Sequence, residues 1–328
     1  MSAPGKPLGT PHHTTAWRST MATAEAVLHA AESAPDAESA IAAATDAVTQ
    51  FRAALDQAPV ECAPLDWATT QTRLGVALRL LGALLDESSL LHDALRCGQA
   101  ALSVAPRAMA PQVWGLAQAA IGSIYVVLGE RDDDLAALTE AATRYAEALD
   151  GFPRADFPRE WARMMRNRGA ALSLLGEVGN DPDAIADAIG CYHAALETYS
   201  PTGTPADWAL TQSNLGQTLR LLAERTDEPA RATDLLQQAV AACDTALAAI
   251  VRDAAPEEWA MTMTNLANAM AARGRRAGDP DDLRRAIDAY RAAITALAGP
   301  RWLRQRAITR HNLALAEQAL AAWEGAAE

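Results

Sequence analysis

Pro205-Ala-Asp-Trp-Ala-Leu-Thr-Gln-Ser-Asn-Leu-Gly-Gln-Thr-Leu-Arg-Leu-Leu222 decides the fold, because copies of this stretch recur before and after it along the chain. Aligning the copies brings Trp67, Trp114, Trp161, Trp208 and Trp259 into one column at spacings of 47, 47, 47 and 51 residues, and Arg306 takes the column another 47 residues on. A fixed period of this size is the signature of a stacked array of supersecondary units. Within the stretch, Trp208, Leu215, Leu219 and Leu222 fall seven, four and three residues apart. At 3.6 residues per turn they share one helix face, which is expected to be core.

The helix start is marked just as regularly. Pro64, Pro111, Pro158, Pro205 and Pro256 each stand three residues before the Trp, at a first helical position where the missing N–H would have had no partner anyway. Asp66, Glu160, Asp207 and Glu258 lie beside the Trp, where carboxylates face the positive end of the helix dipole. Eight residues after the Trp column come Gly75, Gly122, Gly169, Gly216, Ala267 and Ala314. A glycine inside a helix costs about 1 kcal/mol relative to alanine, so its recurrence predicts a partner helix approaching closely.

A repeat running from end to end of the 328 residues argues for one elongated all-α domain over residues 16–328, despite a length sufficient for two or three. Half the residues are apolar but only 5% aromatic, and abundant Ala suits close helix packing and disfavours strands. The net charge of −13 argues against nucleic acid or an anionic membrane as the main partner, since both require a basic footprint. Cys62, Cys97, Cys191 and Cys243 have neither the spacing of a metal site nor that of a disulfide framework, and the last three fall within second helices as small hydrophobes. No metal and no cofactor is expected. With no apolar run judged long enough to span a bilayer and no signal sequence, the expected location is the reducing cytoplasm.

Taken in order, residues 1–15 read as a disordered leader of Pro, Gly and Thr, with His12-His13 in a flexible tail. Repeats follow near 16–60, 61–107, 108–154, 155–201, 202–252 and 253–299, with a capping helix over 300–323. The first repeat is degenerate, with Thr20 in the Trp column, as terminal units commonly are. Second helices carry a register mark at Phe51, Gly98, Tyr145, Tyr192, Cys243 and Tyr290. Cys243 comes four residues late, which puts the extra length of that repeat between Trp208 and Cys243, in the turn Glu224–Ala230. Asp134, Asp181 and Asp279 are expected to cap second helices. Glu317 stands where other copies have Leu78, Leu172, Leu219 or Met270, and Trp302, four residues ahead of the column, is expected to pack like the other tryptophans after a local shift.

At Asn214-Leu-Gly216, with the Ala and Leu positions that follow and the Tyr mark of the second helix, the repeat resembles the tetratricopeptide family over about residues 17–323. The family unit is about 34 residues, so this resembles a long bacterial variant of 47 residues with the pattern Pro-x-x-Trp-Ala-x-Thr-x-x-Asn-Leu-Gly. The resemblance implies a right-handed superhelix of about six helix-turn-helix repeats plus a capping helix, with first helices lining a concave groove. It further implies that the Asn before Leu-Gly holds the backbone of a bound extended peptide. That Asn is present as Asn167, Asn214, Asn265 and Asn312, with Arg73 and Ala120 in the earlier copies. An amide both donates and accepts, so a row of them can satisfy a peptide backbone without reading its sequence. The bland alternative is that these amides brace neighbouring turns.

Helical spacing adds Arg166 and His311 one residue before the Asn position, Gln217 and Asn268 three after it, and Arg79 and Arg220 six after it. This basic lean on an acidic chain predicts attraction of an acidic segment, the alternative being solvated surface arginines. Arg168 occupies a Leu position and is read either as buried against a carboxylate or as marking a rotated helix. No HExxH, Walker, GxSxG or Rossmann pattern and no DDxxD cluster occurs. The expected function is therefore a non-catalytic scaffold for a partner protein or peptide. A pocket enzyme or small-molecule binder, and a module for homo-oligomerisation, stand as alternatives.

Overall fold

The computed structural model describes residues 15–297 and 302–327. Residues 1–14, with His12-His13 and nearly all of the expected leader, lie outside the described residues. Among the described residues the regular structure is entirely helical. Two compact units divide the chain, residues 1–153 and 154–328.

In the first unit three antiparallel hairpins follow one another: α1 (Thr15–Glu32) with α2 (Ala37–Gln57), α3 (Pro64–Leu85) with α4 (Ser88–Val104), and α5 (Pro111–Asp132) with α6 (Leu135–Ala148), which ends in a 3-10 turn at Leu149–Gly151. The second unit holds α7 (Pro158–Val178) with α8 (Pro182–Leu196), α9 (Pro205–Glu224) with α10 (Pro229–Ala249), α11 (Pro256–Ala277) with α12 (Pro280–Ala296), and the unpaired α13 (Leu303–Ala327). Within each unit, every first helix after the initial one packs on the second helix before it.

Local chemistry explains the regularity. The residue ahead of each Pro is non-helical, with φ near −140° and ψ near 60° at Ala63, Thr204 and Ala255, because a following Pro disfavours helical backbone there. Its carbonyl then accepts the N–H of the Trp column, at 2.9 Å for Trp67, Trp114, Trp161 and Trp208. Second helices start on the expected aspartates: Asp134 accepts from the N–H of Ala136 and Ala137, Asp181 from Asp183 and Ala184, and Asp279 from Asp281. The register marks Phe51, Tyr145, Tyr192, Cys243 and Tyr290 are all at most 5% exposed, and burying such a side chain contributes about 1.5–3 kcal/mol each.

The predicted close approach occurs. A Cβ on Gly75 would stand 3.1 Å from the Ala94 carbonyl oxygen, and one on Gly216 would collide with the Cys243 thiol. A second glycine series, Gly82, Gly129, Gly176 and Gly274, makes the same seat one heptad later; Gly176 leaves room for Ile185 and Gly274 for Leu283.

Three expectations are corrected. The Trp column is only half-buried; it is the following Ala68, Ala162, Ala209 or Ala260 that is at most 2% exposed. Each indole sits at the rim of the core, and Arg107, Arg154 and Arg252, seven residues earlier, place their guanidiniums 5.8, 4.8 and 4.4 Å from the ring centres of Trp114, Trp161 and Trp259. The extra residues of the fifth repeat do not enlarge only a turn. α10 starts 24 residues after Pro205, as α8 does after Pro158, yet Gly216 meets Ala239 and Cys243 rather than residues four earlier, so the insertion is an additional first turn of α10. Finally, α5 is long and apolar enough by composition to cross a membrane, with 44% of that window buried; in the structure it packs against α3, α4 and α6, as a core helix does.

Trp302 joins Trp259, Met263, Ala293 and Leu297 in one cluster and donates its indole N–H to Glu257 at 3.2 Å, as its shifted position predicts. α13 packs on α12, where its Glu317 and Glu324 reach back to Arg291 and Arg284.

Candidate functional site

First-helix residues alternate between core and solvent. Counting from the Trp column, positions two, six and nine lie within about 60° of one another at 100° per residue, on the side where burial is incomplete. In the second unit this face carries Leu210, Met261 and Ile308, then Asn214, Asn265 and Asn312, then Gln217, Asn268 and Leu315.

The four aligned asparagines behave in two ways. Asn265 donates its amide to the Ser213 hydroxyl on α9 at 3.1 Å, and Asn312 donates to the Asn268 side-chain oxygen on α11 at 3.0 Å. That oxygen also accepts from the Tyr290 hydroxyl at 2.6 Å, and burial pushes the Tyr290 pKa up to about 12. These amides brace neighbouring helices. Asn167 and Asn214, by contrast, make no side-chain hydrogen bond among the described residues, and both are half-buried.

Most expected basic residues are already occupied. Arg166 holds Asp207 at 2.6 Å and lies 5.8 Å from the Tyr199 ring centre. Arg220 holds Glu224 at 2.6 Å, and Arg73 in the first unit holds Glu25 at 2.8 Å. The exposed Arg73–Glu25 pair contributes about 0–1 kcal/mol to stability, and all three pairs cancel charge. Arg79 differs: its Nε is buried without a hydrogen-bond partner, and burial lowers its pKa against the opposing pull of Tyr145 and Glu32. Arg168, read either as buried against a carboxylate or as marking a rotated helix, likewise has a buried Nε without a hydrogen-bond partner, and no ion pair is formed by it among the described residues. His311 is exposed on α13.

Between α7 and α9 the face dips into a cavity of about 120 Å³, lined by Asn214, Gln217, Ser173, Thr218, Tyr192 and Glu177. The Thr218 hydroxyl donates to the Asn214 carbonyl at 2.8 Å and accepts from the Ser173 hydroxyl at 2.9 Å, whereas the Glu177 carboxylate makes no ion pair among the described residues. Arg225, nearby, is spent on the Glu177 carbonyl at 2.9 Å and the Asn180 side chain at 3.0 Å. Sequence reasoning missed this cavity and the row Leu210, Met261, Ile308, although the row forms a visible column two residues after the Trp. Among the described residues no group of three or more His, Cys, Asp or Glu side chains is placed to hold a metal.

No family description matches the sequence, and no curated protein is similar to it. Among solved structures, BtubC (BKLC) from P. vanneervenii is 20% identical with a TM-score of 0.50, over 79% of this chain and 92% of that one. A circular tandem repeat protein with novel repeat topology is 17% identical with a TM-score of 0.34, over 93% and 76%. The TPR2AB domain of yeast Sti1, from its complex with pHSP90, is 14% identical with a TM-score of 0.30, over 93% and 99%. At such identities likeness concerns the fold alone. The hairpins establish that fold directly as an all-α array of helix-turn-helix repeats.

Proposed function

We propose that the chain is a non-catalytic scaffold that binds an extended segment of a partner protein along the exposed face of its first helices. The observation carrying this reading is the difference within one row of amides. Asn265 and Asn312 are used to tie first helices together, which keeps the row in register, while Asn167 and Asn214 keep unpaired, half-exposed amides at the same helical position. A free amide at a fixed place offers one donor and one acceptor, which is what the backbone of an extended chain requires. An acidic preference has narrower support than the sequence implied, since Arg73, Arg166 and Arg220 each hold a carboxylate of this chain. A reducing, cytoplasmic location belongs to the same proposal.

The test is affinity capture with the wild type and with Asn167→Ala combined with Asn214→Ala, partners being identified by mass spectrometry and thermal melts run in parallel. Loss of specific partners with an unchanged melt is the expected outcome. Equal capture by both proteins refutes the assignment of the face.

A further inference from the structure

α3, α5, α7, α9 and α11 each seat their second helix on three columns, one, eight and fifteen residues after the Trp position, and every residue there is a buried Ala or Gly. In α9 these are Ala209, Gly216 and Ala223; in α11 they are Ala260, Ala267 and Gly274. The antiparallel partner comes so near that a Cβ on Gly216 would stand 2.9 Å from the Ala239 carbonyl oxygen. On α13 the same columns are again small, Ala307, Ala314 and Ala321, yet all three are exposed, and Leu303 in line with them is 59% exposed. α11 and α12 lie behind the opposite face, where Thr309 and Ala316 are fully buried. The last first helix therefore has the seat of an antiparallel helix, open to solvent.

Charge selects the occupant. Within α13 no carboxylate precedes Glu317 and no Arg or Lys follows Arg310. That order opposes the helix dipole, which favours acidic residues near the N-terminus and basic ones near the C-terminus; an antiparallel neighbour with the same order compensates it. Arg310 borders the seat and is exposed, with no ion pair among the described residues. Glu317 borders it on the same side; Arg291 engages only its Oε1, at 2.8 Å, and the side chain remains 45% exposed. Two copies of α13 laid antiparallel about Ala314 bring Ala307 against Ala321, Leu303 over the exposed Gly325, and Arg310 beside Glu317, each contact being made twice. A parallel copy would instead set Arg310 on Arg310 and Glu317 on Glu317.

We infer that the face of α13 carrying Ala307, Ala314 and Ala321 is a self-association surface, covered by α13 of a second copy of this chain in a two-fold, antiparallel helix pair. The inference goes beyond the binding of a partner segment and uses none of the residues assigned to it. α13 is 25 residues long, about 37 Å, and a single pair of helices is a small interface beside the roughly 1,200–2,000 Å² of a standard complex. The dimer is therefore reversible.

Sedimentation velocity on the full chain, from low to high micromolar concentration, supplies the test, and a passage from monomer to dimer is expected. Ala314→Glu should raise the dimer dissociation constant at least tenfold while the thermal melt holds, because Ala314 is exposed in the single chain. Arg310→Glu should raise it at least threefold, and Arg310→Glu combined with Glu317→Arg, which restores opposite charges across the two-fold, should bring it back. With the exposed Cys62 changed to Ser, Ala314→Cys should form a disulfide-linked dimer under mild oxidation, whereas Cys placed at the exposed Met109 should not. A monomer at every concentration, a dimer indifferent to Ala314→Glu, or open-ended polymers overturn the inference. A dimer that the paired charge exchange fails to restore overturns the antiparallel order.

Discussion

Gly216 on α9 faces Cys243 on α10 so closely that a methyl group has no room between them. The same seat in the next repeat is occupied by Ala267, so the tolerance belongs to the second helix opposite as much as to the glycine. Gly216→Ala should destabilise the chain by about 1–3 kcal/mol through overpacking, despite the better helix propensity of alanine. Adding Cys243→Ala should recover part of that loss in urea unfolding, the Ala239 carbonyl oxygen still standing 2.9 Å from the new methyl, and a purely additive pair would contradict the contact with the thiol.

The asparagines should separate by role. Asn265→Ala should cost about 0.5–1.5 kcal/mol because the Ser213 hydroxyl loses its partner, whereas Asn214→Ala should leave the unfolding midpoint within about 0.5 kcal/mol of wild type. A double-mutant cycle of Asn265→Ala with Ser213→Ala checks the first statement, and a large stability loss from Asn214→Ala contradicts the second.

The Trp column should contribute to stability through its rim position. Trp259→Ala should cost about 3 kcal/mol, and Arg252→Ala, which removes the guanidinium over the ring together with its aliphatic stem, about 0.5–1 kcal/mol. Chemical unfolding with circular dichroism measures both, and a larger loss from the Arg than from the Trp would refute the arrangement.

Alkali should weaken the fold. Burial pushes the Cys243 thiol from its ordinary 9.0 up to about 12 and the Cys97 thiol up to about 11. Above about pH 9 the unfolded chain releases these protons while the folded chain retains them, so the unfolded state binds fewer and stability falls as pH rises toward 12. Below pH 9 both states hold the proton and this contribution is fully present. By about pH 10 each group should account for about 1 kcal/mol of loss, and Cys243→Ala should flatten the dependence measured by urea unfolding. A slope unchanged by that variant would show that the thiol is not protected.

The hairpins were legible because their signals are chemical and local. Pro64 or Pro205 at a first helical position, Asp181 or Asp279 as a cap, and Gly169 or Gly216 against a second helix each act over a few residues, so spacing alone reveals them. The side-chain partners were not legible. Whether Asn265 meets a ligand or Ser213, and whether Arg166 is free or tied to Asp207, depends on how one first helix is rotated against the next, which the periodicity leaves open to within tens of degrees. The Trp column was misjudged for a related reason: an indole on the apolar stripe, but in the first turn, reaches the rim of the core and not its middle.

The additional turn at the start of α10 shows what kind of length change this architecture absorbs. Four residues turn a helix by about 400°, leaving a residual rotation of about 40°, so the following side chains keep nearly the same facing and the seats at Gly216 and Cys243 are preserved. Two residues would instead turn the apolar stripe by about 200°, toward water. Modules of 47 and 51 residues are thus interchangeable cassettes, and a module shortened or lengthened by whole turns could be spliced into the row without redesigning its neighbours.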